Sequence, residues 1–166
     1  MLVVGSANLH HQLRNISTNM AKKKTNPYRV DYYAQNRGGV AILPVAVITN
    51  HRFYSLNHAA KTLLTYIASQ YNGHNNGDLC ATLSILKKYG FNSQDTVTRS
   101  IKALINNGLI ELTRAGGKHW STGTNLPSLY ALTWQPIDEC KGKLDVKPTI
   151  KPAVDFVGEF RSASNE

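Results

Sequence analysis

Ser93-Gln94-Asp95-Thr96-Val97-Thr98-Arg99-Ser100-Ile101-Lys102-Ala103-Leu104-Ile105-Asn106-Asn107-Gly108-Leu109-Ile110-Glu111-Leu112-Thr113-Arg114 is the stretch on which the architecture of this 166-residue chain turns. Val97, Ile101, Leu104 and Ile105 recur at helical spacing, and Asp95, Thr98, Arg99, Lys102 and Asn106 fall on the opposite face. Asn92 or Ser93 supplies the cap and Gly108 the stop, so the pattern predicts a helix over residues 94 to 106. Past the glycine the period falls to two. Leu109 to Arg114 therefore reads as a strand.

The same signals extend outward in both directions. Upstream, Ser55 or Asn57 caps a helix over residues 58 to 72, with Ala60, Leu63, Leu64, Ile67 and Tyr71 on one face. Asn72-Gly73-His74-Asn75-Asn76-Gly77 breaks it. A shorter helix over residues 81 to 89 turns Leu83 and Leu86 inward and Lys87 and Lys88 outward, then stops at Gly90. Downstream, a polar loop from Ala115 to Ser128 holds three glycines with Lys118, His119 and Trp120, and its length predicts a mobile tip. A second strand, Leu129 to Trp134, returns onto the first. Trp120 reads as a packing residue of the loop.

Helix, short helix, sharp turn, helix and β-hairpin over residues 55 to 134 resemble the winged helix-turn-helix DNA-binding proteins. Lys102-Ala103-Leu104-Ile105-Asn106-Asn107-Gly108-Leu109-Ile110 is similar to that family's join between recognition helix and wing. Gly77-Asp78-Leu79-Cys80-Ala81 and Tyr130-Ala131-Leu132-Thr133-Trp134 are similar to segments of small proteins of bacterial plasmids, prophages and integrative elements. The resemblance implies an α+β fold, a winged helix-turn-helix of three helices plus a two- or three-stranded β-wing, with an N-terminal arm and a C-terminal extension. It also implies double-stranded DNA as partner, with the helix of residues 94 to 106 in the major groove.

The residue chemistry agrees. The major groove is about 12 Å wide and admits one helix, whose outer face must be polar and cationic. Gln94 is suited to adenine, Arg99 to guanine or a phosphate, and Thr98 and Lys102 complete the face. Ser93 at the cap leaves backbone N–H groups for a phosphate. Arg114, Lys118 and His119 on the wing are placed for the neighbouring minor groove or backbone. Lys87 and Lys88 suit phosphate contact and a solvated face equally. Asp95 stands on the same face and opposes a phosphate, unless it caps the helix or accepts from cytosine.

Charge supports the assignment. The chain carries +9 at neutral pH, with +6 in residues 1 to 57, +4 in 58 to 134 and −1 in 135 to 166. A basic excess selects an acidic partner. The leader to Arg37 lacks apolar periodicity and contains Lys22-Lys23-Lys24, an arm suited to tracking phosphates or to solubility. Met20 stands two residues before that run and allows residues 1 to 19 to be an over-long start. Val40 to Ile48, with Pro44 inside it, reads as an extended edge segment or as an apolar strap across the helices. The tail has Ile137, Val146, Ile150, Val154 and Phe156 with which to strap onto the domain.

Other classes fit less well. No apolar run approaches the roughly 20 residues of a membrane span, and no secretory signal is visible, so a cytoplasmic protein with no membrane partner is expected. Cys80 and Cys140 have neither metal nor disulfide spacing, and no cofactor is expected. Gly116-Gly117-Lys118 lacks the remainder of a phosphate loop. Tyr28, Tyr32 and Tyr33 are similar to the paired tyrosines of rolling-circle nucleases, but adjacent His10 and His11 do not make their metal motif. A non-enzymatic chain is expected.

The expected organisation is a flexible basic arm over 1–37, a winged-helix DNA-binding domain over 38–134 with its core at 55–134, and a partly ordered extension over 135–166. The expected role is a sequence-specific transcriptional regulator of a mobile element or phage. The alternatives are a replication-initiator or partition protein binding iterated origin sites, and a protein–protein interaction module. Homodimerisation is expected through Val40 to Ile48 or the tail near Phe156 and Phe160.

Overall fold

The computed structural model describes residues 41–163, and the basic arm expected over residues 1–37 lies outside them. The described residues form a mixed α+β arrangement, helices against a small antiparallel sheet. Val45–Ile48 (α1) and His51–Tyr54 (α2) are single turns. They precede the helix His58–Ser69 (α3). Leu79–Cys80 (β1), Leu83–Leu86 (α4), a 3-10 turn at Lys87–Tyr89 and Gln94–Asn106 (α5) follow. Next come Ile110–Arg114 (β2), Gly117–Lys118 (β3), Asn125–Leu126 (β4) and Leu129–Leu132 (β5). Phe156–Ala163 (α6) closes the order.

Side-chain caps set the helix starts. Asn57 accepts from the Ala60 N–H at 2.8 Å and Ser93 from the Thr96 N–H at 3.2 Å; such caps contribute about 1 kcal/mol each. At its other end α3 stops three residues short of the expected 72. The turn takes over its last carbonyls there: Asn75 donates to the Gln70 carbonyl, while the Gln70 amide brackets the backbone of Cys80 at 2.8 and 3.0 Å. The expected helix over 81 to 89 starts late for a related reason. Leu79 and Cys80 are drawn into the sheet, opposite Tyr130 and Leu129.

The three-stranded sheet has the order β1-β5-β2, all antiparallel. Its register shifts between Leu112 and Arg114, which turns Thr113 inward to donate to the Gly77 carbonyl at 2.6 Å and leaves Leu112 half-exposed. One face carries the core. Leu63, Leu64 and Ile67 of α3 meet Val97 and Leu104 of α5 above Leu79, Ile110 and Leu132. The amphipathic reading of α5 is corrected at two positions: Ile105 is exposed, and Ser100 takes a buried place. Gly108 ends the connection at φ +64, a left-handed backbone in which a side chain is strained.

Of the two readings of Val40 to Ile48, the edge strand is overturned. Pro44 leaves its carbonyl free to accept from Val47 and Ile48, closing a helical turn that buries Val47. The described part of the segment, residues 41 to 48, belongs to no sheet.

The tail straps the domain. Asp145, Thr149 and Val154 donate backbone N–H groups to Thr113, Ile137 and Thr133. Phe156 is buried edge-on against Trp134, and Arg52 covers its ring at 5.7 Å while pairing with Glu159 at 3.2 Å. Ile137 and Phe156 are buried and Val154 packs against the core, whereas Val146 and Ile150 stay exposed. The two segments expected to dimerise thus meet in one protein: α6 packs on α1. Val45, Ile48, Val157 and Phe160 are exposed on this pair of helices. Among the described residues no helix is long and apolar enough to cross a membrane.

Candidate nucleic-acid interface

α5 buries Val97, Ser100 and Leu104, and Ile101 and Ala103 also pack against the core, so the opposite side is left to the polar residues. Gln94, Arg99, Lys102 and Asn106 are exposed and Thr98 is half-buried, the face expected. Beside it lies a cleft of about 400 Å³. Gln94, Thr98, Ile101 and Lys102 form one wall, Ala81 to Leu83 before and at the start of α4 a second, and Pro127 and Ser128, just past β4, with Tyr130 of β5 a third. The polar side of α5 and the return from the hairpin to β5 therefore share one surface feature. Burial raises the Tyr130 phenol above its ordinary 10.0, against a lowering by Ser128, so it stays neutral at physiological pH.

The expected contact residues differ in how free they are. Lys102 projects openly. The Gln94 amide nitrogen stands 3.5 Å from the Thr98 hydroxyl. Ser93 is engaged with Thr96 through both backbone and hydroxyl, at 3.2 and 2.8 Å. Arg99 is held by Asp95 at 2.5 Å, with both side chains about 70% exposed (71% and 72%). An exposed pair of this kind is weak, about 0–1 kcal/mol, and a phosphate can displace it.

The residues expected on a wing separate further. Arg114 is half-buried and spends its two terminal nitrogens on the carbonyls of Lys143 and Pro127, at 3.4 and 3.1 Å. It ties the wing base to the tail. Lys118 is exposed in β3, and half-buried His119 holds the hairpin loop, its ring at 3.0 Å from the Ser121 hydroxyl. The long polar loop is not wholly irregular: β3 and β4 pair with Gly117 opposite Leu126 and Lys118 opposite Asn125. A Cβ on Gly116 would stand 2.8 Å from the Ser128 backbone nitrogen, so the hairpin's base requires glycine there. Trp120 contradicts the packing reading, since it is 93% exposed. Only turn-forming neighbours, Gly116-Gly117 before it and Ser121-Thr122-Gly123-Thr124 after it, could have signalled that in the sequence.

A separate polar hollow of about 530 Å³ includes His74, Asp78, Asp138, Glu139, Cys140 and Lys143. Asp78 pairs with Lys143. Burial, then Asp138 and Asp78, raise the Cys140 thiol, which disfavours the reactive thiolate. Among the described residues no group of three or more His, Cys, Asp or Glu is arranged to hold a metal. No protein-family model, curated protein or solved structure matches the chain.

Proposed function

We propose that this protein binds double-stranded DNA sequence-specifically through α5 and acts as a transcriptional regulator. The observation that carries the reading is that the polar side of α5 stays uncovered and shares a single cleft with Pro127, Ser128 and Tyr130, where the chain returns from the hairpin to β5. The order α3, β1, α4, α5, β2, hairpin, β5 supports a winged helix-turn-helix, in which α5 is the recognition helix. Gln94, Thr98, Arg99 and Lys102 are the base- and phosphate-facing candidates. Ser93 and the first N–H groups of α5 orient a phosphate. Lys118 follows the backbone beside the hairpin, and Arg114 and His119 keep the hairpin in place.

A salt series with random-sequence duplex, followed by selection of the bound pool, tests this. Expected are a steep linear fall of log K with log salt, an enriched motif, and loss of binding on charge reversal at Arg99 and Lys102. Weak, unselective binding indifferent to those reversals would overturn it and leave a protein-interaction module as the reading. Tandem direct repeats in the enriched motif would assign the replication role instead of the regulatory one.

A further inference from the structure

Trp120 is the most exposed large apolar side chain among the described residues, at 93%. Exposing a whole indole forfeits the burial that usually keeps tryptophan inside. Its loop is nevertheless built to hold it there. The His119 N–H donates to the Thr124 carbonyl and the Gly123 N–H to the His119 carbonyl, both at 2.8 Å. The Thr122 and Thr124 hydroxyls bond each other at 2.7 Å, and the His119 ring lies nearly parallel to the indole, centroids 6.3 Å apart. Together with the β3–β4 ladder these contacts fix the tip and project Trp120 from it.

The surroundings select the partner. Between Ala115 and Ser128 there is no acidic residue, one lysine, and around Trp120 only His, Ser, Thr and Gly. A protein interface would surround an aromatic anchor with further apolar area. A lone indole among hydroxyls, two positions from Lys118 and on a hairpin whose exit at Pro127 and Ser128 borders the Lys102 cleft, has instead the composition of a nucleic-acid stacking group. We infer that Trp120 is a wedge that enters the minor groove beside the α5 site and stacks against a base step. The inference rests on the DNA-binding reading and adds a contact that does not depend on charge. Unstacking is easiest at flexible pyrimidine–purine steps, so such a step is expected beneath the wing.

The full chain, its Trp120→Phe and Trp120→Ala variants and the Arg99→Glu/Lys102→Glu variant should be titrated with the selected duplex pool. Trp134, the other tryptophan, is buried, so the emission lost on Trp120→Phe substitution isolates Trp120. Expected are quenching of that emission by duplex and a roughly 10- to 100-fold weaker binding of Trp120→Ala. The salt slope should be unchanged, and Trp120→Phe should retain most of the affinity. The exposed position makes both variants fold normally, which circular dichroism checks. If duplex binding depends on Arg99 and Lys102 while Trp120 emission and Trp120→Ala affinity stay unchanged, the wedge is wrong and the DNA reading stands. Lost affinity without quenching assigns Trp120 a structural role and overturns the wedge equally. Absence of any duplex binding by the unaltered chain overturns both.

Discussion

Asp95 sits on the face we propose for DNA, ion-paired with Arg99 one turn away. It is also in the first turn of α5, where a carboxylate opposes the positive end of the helix dipole. These two effects pull in opposite directions. Asp95→Asn should weaken the helix by about 0.3–1 kcal/mol. It should also free Arg99 and remove one repulsion, tightening DNA binding roughly two- to five-fold at low salt, a gain of the size exposed ion pairs carry. Screening should erase most of that gain at high ionic strength. Thermal unfolding and duplex titration at two salt concentrations check both halves. An unchanged affinity would mean that Arg99 does not face a phosphate.

At the scale of elements, the turn after α3 is the joint that holds helix to sheet. Asn76 is fully buried, and its side chain takes the Leu132 N–H at 2.7 Å while donating toward the carbonyls of Leu132, Gln135 and Pro136 at 3.0 Å each. Its backbone N–H donates to Asp138 at 2.9 Å, and the Asp138 N–H returns to its carbonyl. One amide thus closes the end of β5 against the turn before β1. Asn76→Ala should cost about 2–4 kcal/mol, because several buried groups lose their partner at once. A urea titration followed by both fluorescence and circular dichroism measures it, and a loss below about 1 kcal/mol would mean that water replaces the amide. This joint was invisible in the sequence, where Asn72 to Gly77 announced a break and nothing more.

For the molecule as a whole, the C-terminal strap is the decisive addition. Phe156 closes the core between Trp134 and Arg52, although the nearest helix of that core lies far away in sequence. Phe156→Ala should destabilise the protein by about 3–5 kcal/mol, the usual cost of truncating a buried phenylalanine. Exposed Ile150 replaced by Ala should change little. Denaturant midpoints compare the two, and a Phe156→Ala effect confined to loss of α6 helicity would show that the strap melts alone.

Periodicity, caps and glycine stops determined the starts of α3 and α5 and the extended runs of β2 and β5 by themselves, because each is governed by contacts within a few residues. The same local rule placed Gln94, Thr98, Arg99 and Lys102 on the side of α5 away from the stripe of Val97 and Leu104. Distant partners decided the remainder. Leu79 and Cys80 became a strand only because Tyr130 and Leu129 offer them hydrogen bonds, and Thr113 turned inward through a bulge. Arg114 was drawn away from the wing surface by carbonyls of Lys143 and Pro127. Trp120 read as a packing residue of its loop in the sequence and stands outside because its hairpin closes on its own hydrogen bonds and brings no apolar surface to cover it. Exposure is a property of what lies opposite a side chain, and that is settled by the tertiary fold.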